Sequence, residues 1–205
     1  MFYDPRENVA PPPLITNPLN ALVAPRPIGW ITTVDRAGSV NLAPFSYFNA
    51  VNADPPVVVF APNEKAKGTP KDTLHNVREV PEFVASLAHA HLRIAINESS
   101  RVYPHGVNEL EAAGLTASPS RHVKPPRVAE CKAALECAVH DIIELPHREG
   151  GRRSHLVIGR VIGIYIADEL IDDGRVDARR LNQLARLGYS EYLAVENTFT
   201  MRRPD

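Results

Sequence analysis

Small, aromatic and hydrogen-bonding side chains follow one another without interruption at residues 46–49. This segment reads Ser46, Tyr47, Phe48 and Asn49, and a proline and a phenylalanine precede it. A core strand would not carry the serine and the asparagine, and a solvent-exposed loop would not carry the aromatic rings. The mixture is typical of a site for a flat aromatic ligand with polar edges, which needs apolar walls and a few well-placed donors.

A cation and a hydroxyl group stand at a predicted helix start further along the chain. Lys71, Asp72 and Thr73 follow Thr69 and Pro70, which predict a helix with Thr69 as its N-cap and Pro70 as its first residue. The first N–H groups of a helix have no intrahelical acceptor and carry the positive end of its dipole, so they bind anions. Alone, these residues would also fit an ordinary capped helix with a solvated lysine. Combined with the segment 46–49 they predict a phosphate joined to a flat ring, which describes flavin mononucleotide (FMN).

Residues 30–33 belong to a predicted strand and are also candidates for the FMN site. They are Trp30, Ile31, Thr32 and Thr33. The threonines would offer hydroxyl and backbone N–H groups to the ligand, although β-branched residues are also common in strands because they pack well there. Arg26 would place a cation near the phosphate or the ribityl chain, and an exposed arginine would be equally ordinary at this position.

The hydrophobic pattern predicts that β-strands position these residues. Alternation places Ile28, Trp30, Thr32 and Val34 on one face of a strand. Pro44 cannot donate to a ladder, so the returning strand must bulge, end or lie at an edge there. Residues 57–61 form a continuous apolar run, which predicts a strand buried on both faces. Other predicted strands cover residues 83–87, 134–145 and 155–167.

Helices are few in this pattern. Short ones are predicted near residues 90–98 and 107–113, and Asp177 caps a final helix with Leu181, Leu184 and Ala185 on its inner face. Many strands with few, peripheral helices predict a mainly β fold, in which a closed barrel is decorated by helices.

Length, composition and net charge limit the classes of protein to which this chain can belong. The 205 residues fit one domain, residues 19–205, preceded by a proline-rich arm at residues 1–18. The net charge of −1 gives no electrostatic case for nucleic acid or an anionic membrane as partner. No apolar run is long enough to span a bilayer, and the first residues lack the pattern of a signal peptide, so we expect a cytoplasmic protein.

Some kinds of site are not predicted. Cys131 and Cys137 are expected to be reduced thiols, and the histidines show no ligand spacing, so we expect no metal. No G-x-G-x-x-G follows a strand and no G-x-S-x-G elbow occurs, so neither a Rossmann dinucleotide site nor a hydrolase nucleophile is predicted.

Several segments, taken in order, resemble the flavin reductase-like family, whose members are FMN-binding split barrels and include flavoredoxins and flavin:NAD(P)H reductases. The likeness runs from about residue 19 to about residue 192 and rests on RPIGWITTVD (26–35), NLAPFSYFNAV (41–51), KDT (71–73), GVNELEAAGL (106–115) and HLVIGRV (155–161). It implies a split β-barrel of Greek-key type with peripheral helices, and a homodimer with the flavin beside the interface.

The resemblance also implies residue roles and a reaction. It assigns Lys71, Asp72 and Thr73 to the FMN phosphate, Tyr189 to an edge of the flavin, and His155 to a catalytic position near the flavin and the nicotinamide. An exposed histidine at a strand end is the alternative for His155. The implied reaction passes a hydride from NADH or NADPH to the flavin, and the electrons then leave to a second flavin, a partner monooxygenase or another acceptor. A flavoredoxin-type electron carrier and a flavin-binding protein without turnover remain open as alternatives.

Overall fold

The computed structural model describes residues 1–7, 9–104 and 106–204; residues 8, 105 and 205 of the predicted arm and domain lie outside it. The α-helices are all short: α1 (Leu19–Leu22), α2 (Asp72–Glu79), α3 (Arg93–Glu98), α4 (Glu109–Ala112) and α5 (Ala178–Leu181). Single 3₁₀ turns occur at Pro5–Glu7, Ala90–Leu92 and Asp168–Leu170. The strands are β1 (Arg26–Pro27), β2 (Gly29–Val34), β3 (Val40–Phe45), β4 (Phe48–Ala53), β5 (Pro56–Phe60), β6 (Glu82–Leu87), β7 (Ala117–Ser118), β8 (Arg127–Val128), β9 (Ala133–Glu144), β10 (His155–Ile166), β11 (Ile171–Asp172), β12 (Arg175–Val176), β13 (Leu184–Arg186) and β14 (Tyr192–Ala194).

Seven strands form one antiparallel sheet in the order β3-β2-β6-β9-β10-β5-β4. Only Ser46 and Tyr47 separate β3 from β4, although these strands lie at opposite ends of that order. Neighbouring strands are about 4.8 Å apart, so a two-residue link cannot cross a flat sheet of this width. The sheet therefore curls until its edge strands meet, with Ser46 and Tyr47 at the junction. The predicted mainly β fold with peripheral helices is confirmed.

Aromatic side chains fill the inside of the curled sheet. Phe60 is fully buried, and its ring centroid lies 5.1 Å from that of Phe45 and 5.0 Å from that of Phe83. A Cβ on Gly159 in β10 would stand only 2.3 Å from Phe83 Cζ. Because buried ring atoms cannot yield that far, β10 needs a glycine at this position.

A second apolar cluster lies on the outer face of β2 and β3, against α3 and α4. Ile28, Trp30 and Leu42 contribute to it, in agreement with the alternation seen in the sequence. Trp30 Nε1 donates to Ser99 Oγ at 2.9 Å. This bond fixes the end of α3, and with it the chain that follows, beside β3.

A small sheet, β1-β13-β14, lies beside the junction of the curled sheet. Arg26 in β1 pairs in register with Arg186 in β13, and its guanidinium lies 5.9 Å from the ring centroid of Tyr47. The Arg26 guanidinium is buried and donates to the carbonyls of Asn20, Val23 and Leu187. It thereby ties α1 and the turn after β13 to the strand that enters the barrel.

The helix after residue 69 begins later than predicted. Thr69 is not its N-cap: the Thr69 carbonyl accepts from Lys65 N in a tight turn, and the first helical N–H groups, those of Leu74 and His75, donate to the Lys71 carbonyl instead. Lys71 holds the N-cap position, and α2 begins at Asp72. Lys71, Asp72 and Thr73 still stand together at a helix start, as an anion site requires.

The prediction that residues 57–61 are buried on both faces is wrong. In β5, Val58 and Phe60 are buried, while Val57 and Val59 are only half-buried. The barrel interior covers one face of β5, and its other face has less cover.

The position of Pro44 agrees with one expected alternative, since β3 is an edge strand.

The final helix is shorter than predicted. Asp177 caps it, accepting from the N–H groups of Arg179 and Arg180. The helix ends after one turn at Leu181, and Leu184 and Ala185 lie in β13, not on the helix. The prediction that both line the helix is therefore wrong: their apolar side chains are buried as strand residues.

Both cysteines are buried free thiols, Cys131 in the outer cluster and Cys137 in the barrel core. Burial raises the pKa of Cys131 to about 12 and also raises the pKa of Cys137, so both stay protonated near neutral pH. Within the part of the chain that the structure describes, no three His, Cys, Asp or Glu side chains are grouped to hold a metal ion. No described helix is long and apolar enough to cross a membrane.

Candidate functional site

A hollow opens at the N-terminus of α2, between β3 and the chain after α3. We name it the α2 hollow. It is lined by Asn41, Ala43, Pro44, Lys65, Lys71, Asp72, Thr73, Ser99, Ser100, Arg101, Val102, Tyr103 and Glu109. The fold thus brings all three residues of the predicted phosphate site to the wall of one hollow.

Lys71 supplies positive charge to the α2 hollow. Its Nζ lies 5.1 Å from the ring centroid of Phe45. Burial lowers the pKa of Lys71, and the nearby charge of Lys65 lowers it further. Among the described residues, no carboxylate lies within ion-pair distance of the Lys71 ammonium. A half-buried cation without a counter-ion is unfavourable, so an anion in the hollow would gain a charge-assisted hydrogen bond.

Buried amides fix the hydroxyl group of Thr73. Asn41 Nδ2 donates to Thr73 Oγ1 at 3.0 Å and, at a longer 3.4 Å, to Thr33 Oγ1. Asn76 Nδ2 donates to the same Thr33 oxygen at 3.1 Å. Because the Thr73 oxygen accepts from Asn41, its own O–H can donate to an acceptor in the hollow.

The acidic side chains of the α2 hollow carry little free negative charge. Asp72 Oδ2 pairs with Lys65 Nζ at 2.5 Å. Glu109 is buried and accepts from Leu42 N at 3.0 Å; burial raises its pKa, and the charge of Asp72 adds to this effect. Arg101 pairs with Glu98 outside the helix start. The charge that remains for a ligand is mainly that of Lys71.

Two further hollows continue from the α2 hollow. The middle hollow is lined by Ile28, Pro44, Ser46, Ile96, Asn97, Ser100, Arg186 and Tyr192. The arginine hollow is lined by Thr16, Asn17, Asn20, Ala21, Arg26, Ser46, Arg186, Leu187 and Tyr189. Pro44 and Ser100 belong to both the α2 hollow and the middle hollow, and Ser46 and Arg186 to both the middle and arginine hollows. The three hollows therefore form one groove along the end of β3.

Residues 46–49 lie where the barrel edges meet, and they point in different directions. Ser46 faces the groove. Tyr47 is exposed, and its hydroxyl donates to Asn20 Oδ1 at 2.8 Å. Phe48 is buried in the barrel core, and Asn49 is exposed on β4. Of this segment, Ser46 is the residue that lines the groove.

Residues 30–33 lie mostly in the core. Trp30 belongs to the outer cluster, Ile31 belongs to the barrel core, and Thr32 Oγ1 donates to the carbonyl of Pro126. Thr33 is linked to the α2 hollow through its bond to Asn41. Their assignment to a flavin stays a prediction.

Arg26 and Tyr189 both line the arginine hollow, at the end of the groove away from α2. Tyr189 has a φ of 55°, in the left-handed region that residues other than glycine seldom adopt. Its assignment to a flavin edge, and that of Arg26 to the phosphate or ribityl chain, stay predictions.

His155 does not line any of these hollows. It is buried at the start of β10, so the alternative of an exposed strand-end histidine is wrong. Arg78 Nη2 lies 2.9 Å from His155 Nε2, and since arginine can only donate, Nε2 accepts and Nδ1 carries the proton. That Nδ1 is buried without a partner among the described residues. Burial and the charge of Arg78 lower the pKa of His155, which keeps the ring neutral near pH 7.

Several residues of the groove were not singled out from the sequence. They are Asn41, Lys65, Ser99, Ser100, Arg101, Tyr103, Glu109 and Arg186. Asn41 and Glu109 lie within segments that carry the family resemblance, and this was the available signal. The chain after α3 carried no such sequence signal, because its serines and its arginine reach the groove only through tertiary packing.

Comparison with known proteins identifies the family to which this chain belongs. The family described as flavin reductase like domain matches residues 22–183. An uncharacterised protein of Halalkalibacterium halodurans is 40% identical over 182 residues, which cover 89% of this chain and 87% of that protein. The crystal structure of nitrilotriacetate monooxygenase component B from Bacillus cereus is 34% identical, with a TM-score of 0.84 over 89% of this chain and 90% of that one.

The predicted split barrel is also confirmed by comparison. A Shewanella frigidimarina structure described as having a split barrel domain superposes with a TM-score of 0.78 over 91% of this chain and 90% of that one, at 21% identity. The family match covers β1 to α5 and includes the helix start at Lys71. The fold and the sequence together show that this chain belongs to the flavin reductase-like family.

Proposed function

We propose that this protein is an FMN-binding oxidoreductase that reduces flavin with NADH or NADPH. The observation that carries the proposal is the α2 hollow, where an ammonium without a counter-ion, an oriented hydroxyl and a helix N-terminus converge. These groups suit a phosphate monoester. The groove that leads from this hollow to Ser46 suits the remainder of an FMN molecule.

The chain's own residues have binding and orienting roles in this proposal. Lys71 supplies charge, Thr73 donates its O–H, and Asn41 holds that hydroxyl in place. The residues described as lining the groove provide no nucleophile–base pair, and none is needed. The chemistry supplied by a bound flavin is hydride acceptance at N5, and the protein contributes orientation and electrostatics.

The resemblance to a monooxygenase component supports a reductase that delivers electrons to a partner. A flavoredoxin-type carrier is the second candidate, because the groove would hold FMN in that case too. The two differ in whether a nicotinamide reaches the flavin productively.

Anaerobic mixing with a nicotinamide separates the reductase from the carrier. Protein loaded with FMN is expected to lose its flavin absorbance near 450 nm within seconds when NADH or NADPH is added (roughly the range of typical turnover, about 1–1,000 s⁻¹). Stopped-flow absorbance measures the rate for each nicotinamide. Bound FMN that neither nicotinamide reduces would contradict the reductase and leave the carrier.

His155 is tested in the same experiment. If its neutral imidazole contacts the nicotinamide or the reduced flavin, then His155→Ala retains FMN but is reduced about 10- to 100-fold more slowly, as expected for one lost polar contact of roughly 1.5–3 kcal/mol. The exposed His140 offers the control, His140→Ala, which should match the wild type. A wild-type rate in His155→Ala would remove His155 from the reaction.

We also propose a homodimer. Apolar side chains stay exposed on the sheet, among them Val51 at the β4 edge and Ile162 and Ile164 in β10. Closed two-fold dimers are the commonest oligomers, and burying such side chains would stabilise one. Light scattering of FMN-loaded protein at micromolar concentration should give twice the chain mass of 22.6 kDa. A value equal to that mass would overturn the dimer.

A further inference from the structure

The arginine hollow carries two guanidinium groups without an acidic partner. Arg26 and Arg186 both line it, and no aspartate or glutamate does. Within residues 1–7, 9–104 and 106–204, neither arginine has a carboxylate within ion-pair distance. All other lining side chains are neutral. Two uncompensated positive charges therefore face one hollow.

Arg26 cannot relieve its charge by facing water. It is only 8% exposed, and its guanidinium donates to three backbone carbonyls. Its Nε is buried without a hydrogen-bond partner. Carbonyl dipoles hold the group in place, but they do not neutralise it, so the buried charge still favours an anion nearby.

Arg186 is held at the mouth between the middle and arginine hollows. Its Nη1 donates to Tyr192 Oη and its Nη2 to the carbonyl of Tyr189. Its guanidinium also lies 4.4 Å from the ring centroid of Tyr192. Tyr189 keeps its left-handed φ in this turn, and bonds to Arg186 fix both the turn and the arginine. The geometry is that of a preorganised cation, not a mobile surface side chain.

Exposed aromatic rings lie beside these two arginines. Tyr47, Tyr189 and Tyr192 are 45%, 56% and 42% exposed, which leaves ring surface open beside the arginines. Guanidinium groups bind phosphate and carboxylate oxygens through paired N–H donors, and exposed rings stack on flat ligands. Tyr189 lines the arginine hollow itself, so this hollow places an open ring surface beside its two guanidinium groups.

We propose that the arginine hollow is the subsite for the oxyanion group, phosphate or carboxylate, of the second substrate that exchanges electrons with the flavin. This inference rests on the proposed function, which places the FMN phosphate at the opposite end of the groove, beside Lys71. Ser46 lies between the two regions because it lines both the middle and the arginine hollows. The second substrate would then approach the flavin from the Arg186 side.

Titration of FMN-loaded protein with a second anion tests this assignment. FMN would occupy the α2 hollow, so the added anion would bind at the arginine hollow. Inorganic pyrophosphate and benzoate serve as probes, followed by calorimetry and by the flavin absorbance. Arg186→Gln is expected to weaken binding of the preferred probe about 10-fold or more, and to change FMN affinity by a smaller factor because the proposed phosphate site is at the other end of the groove. Preference for pyrophosphate indicates a dinucleotide as the second substrate, and preference for benzoate indicates an aromatic acid.

Two further variants make the outcome decisive. Arg186→Lys keeps the charge and should retain most of the anion affinity, and Arg202→Gln removes an exposed arginine that does not line the hollow and should bind as the wild type does. Equal anion binding by Arg186→Gln and wild type, or no binding by wild type, would overturn the subsite. If instead no FMN binds, the proposed function fails. The arginine hollow can then still be tested by titrating the variant Lys71→Ala/Thr73→Ala with pyrophosphate, because this variant lacks the anion-binding side chains of the α2 hollow.

Discussion

Replacing Lys71 and Thr73 together with alanine is expected to weaken FMN binding about 100-fold or more. Each residue would make a charge-assisted bond to the phosphate, worth roughly 1.5–3 kcal/mol. Lys71 is half-buried without a counter-ion, so the loss should fall toward the upper part of that range. Binding should not vanish, because the N–H groups at the start of α2 remain. Quenching of FMN fluorescence on titration gives the dissociation constants.

Two controls separate a lost phosphate contact from a damaged fold. Riboflavin has no phosphate, so its affinity should be the same in the double variant and the wild type. Lys67→Ala removes a nearby exposed lysine that does not line the α2 hollow, and it should leave FMN affinity unchanged. An unchanged FMN dissociation constant in the double variant would refute the phosphate site.

Replacing Phe60 with alanine is expected to lower the free energy of unfolding by about 3–5 kcal/mol. The Phe60 ring is fully buried between Phe45 and Phe83, so the substitution leaves a cavity at the centre of the barrel. The site should be affected as well, because Lys71 Nζ lies over the Phe45 ring that Phe60 supports. Chemical denaturation followed by tryptophan fluorescence measures the stability.

The exposed Phe199 provides the matched substitution for this test. Its side chain is 85% exposed, so Phe199→Ala should change the free energy of unfolding by no more than about 0.5 kcal/mol. If Phe60→Ala lost less than about 1 kcal/mol, the aromatic core would not be the element that closes this barrel.

Strands could be predicted from the sequence because their side chains alternate between two packed faces. Ile28 and Trp30 enter the outer cluster and Ile31 enters the barrel, as the alternation requires. The start of α2 was harder to place, since Thr69 and Pro70 form an equally good local cap signal. The turn in which Lys65 N donates to the Thr69 carbonyl moves the N-cap from Thr69 to Lys71, and local helix propensity does not predict that turn.

The candidate site was only partly predictable for a related reason. Lys71 and Thr73 could be found because a helix start is a local feature with known anion chemistry. The roles of Asn41 and Arg186 could not, because each depends on a partner brought close by the fold: Asn41 acts on Thr73, and Arg186 lies in register with Arg26. Ser46 lines the groove, whereas Phe48, two residues later, turns into the core because a strand begins there.

The most direct test of FMN binding at the α2 hollow is a titration of flavin-free wild-type protein with FMN and, separately, with riboflavin. The two ligands share the same ring and ribityl chain, so the ratio of their dissociation constants isolates the phosphate. FMN is expected to bind at least about 100-fold more tightly than riboflavin, corresponding to roughly 3 kcal/mol or more for the contacts of Lys71 and Thr73 with the phosphate together. Equal dissociation constants for the two ligands, or no binding of FMN, would contradict the assignment of Lys71 and Thr73 to a flavin phosphate.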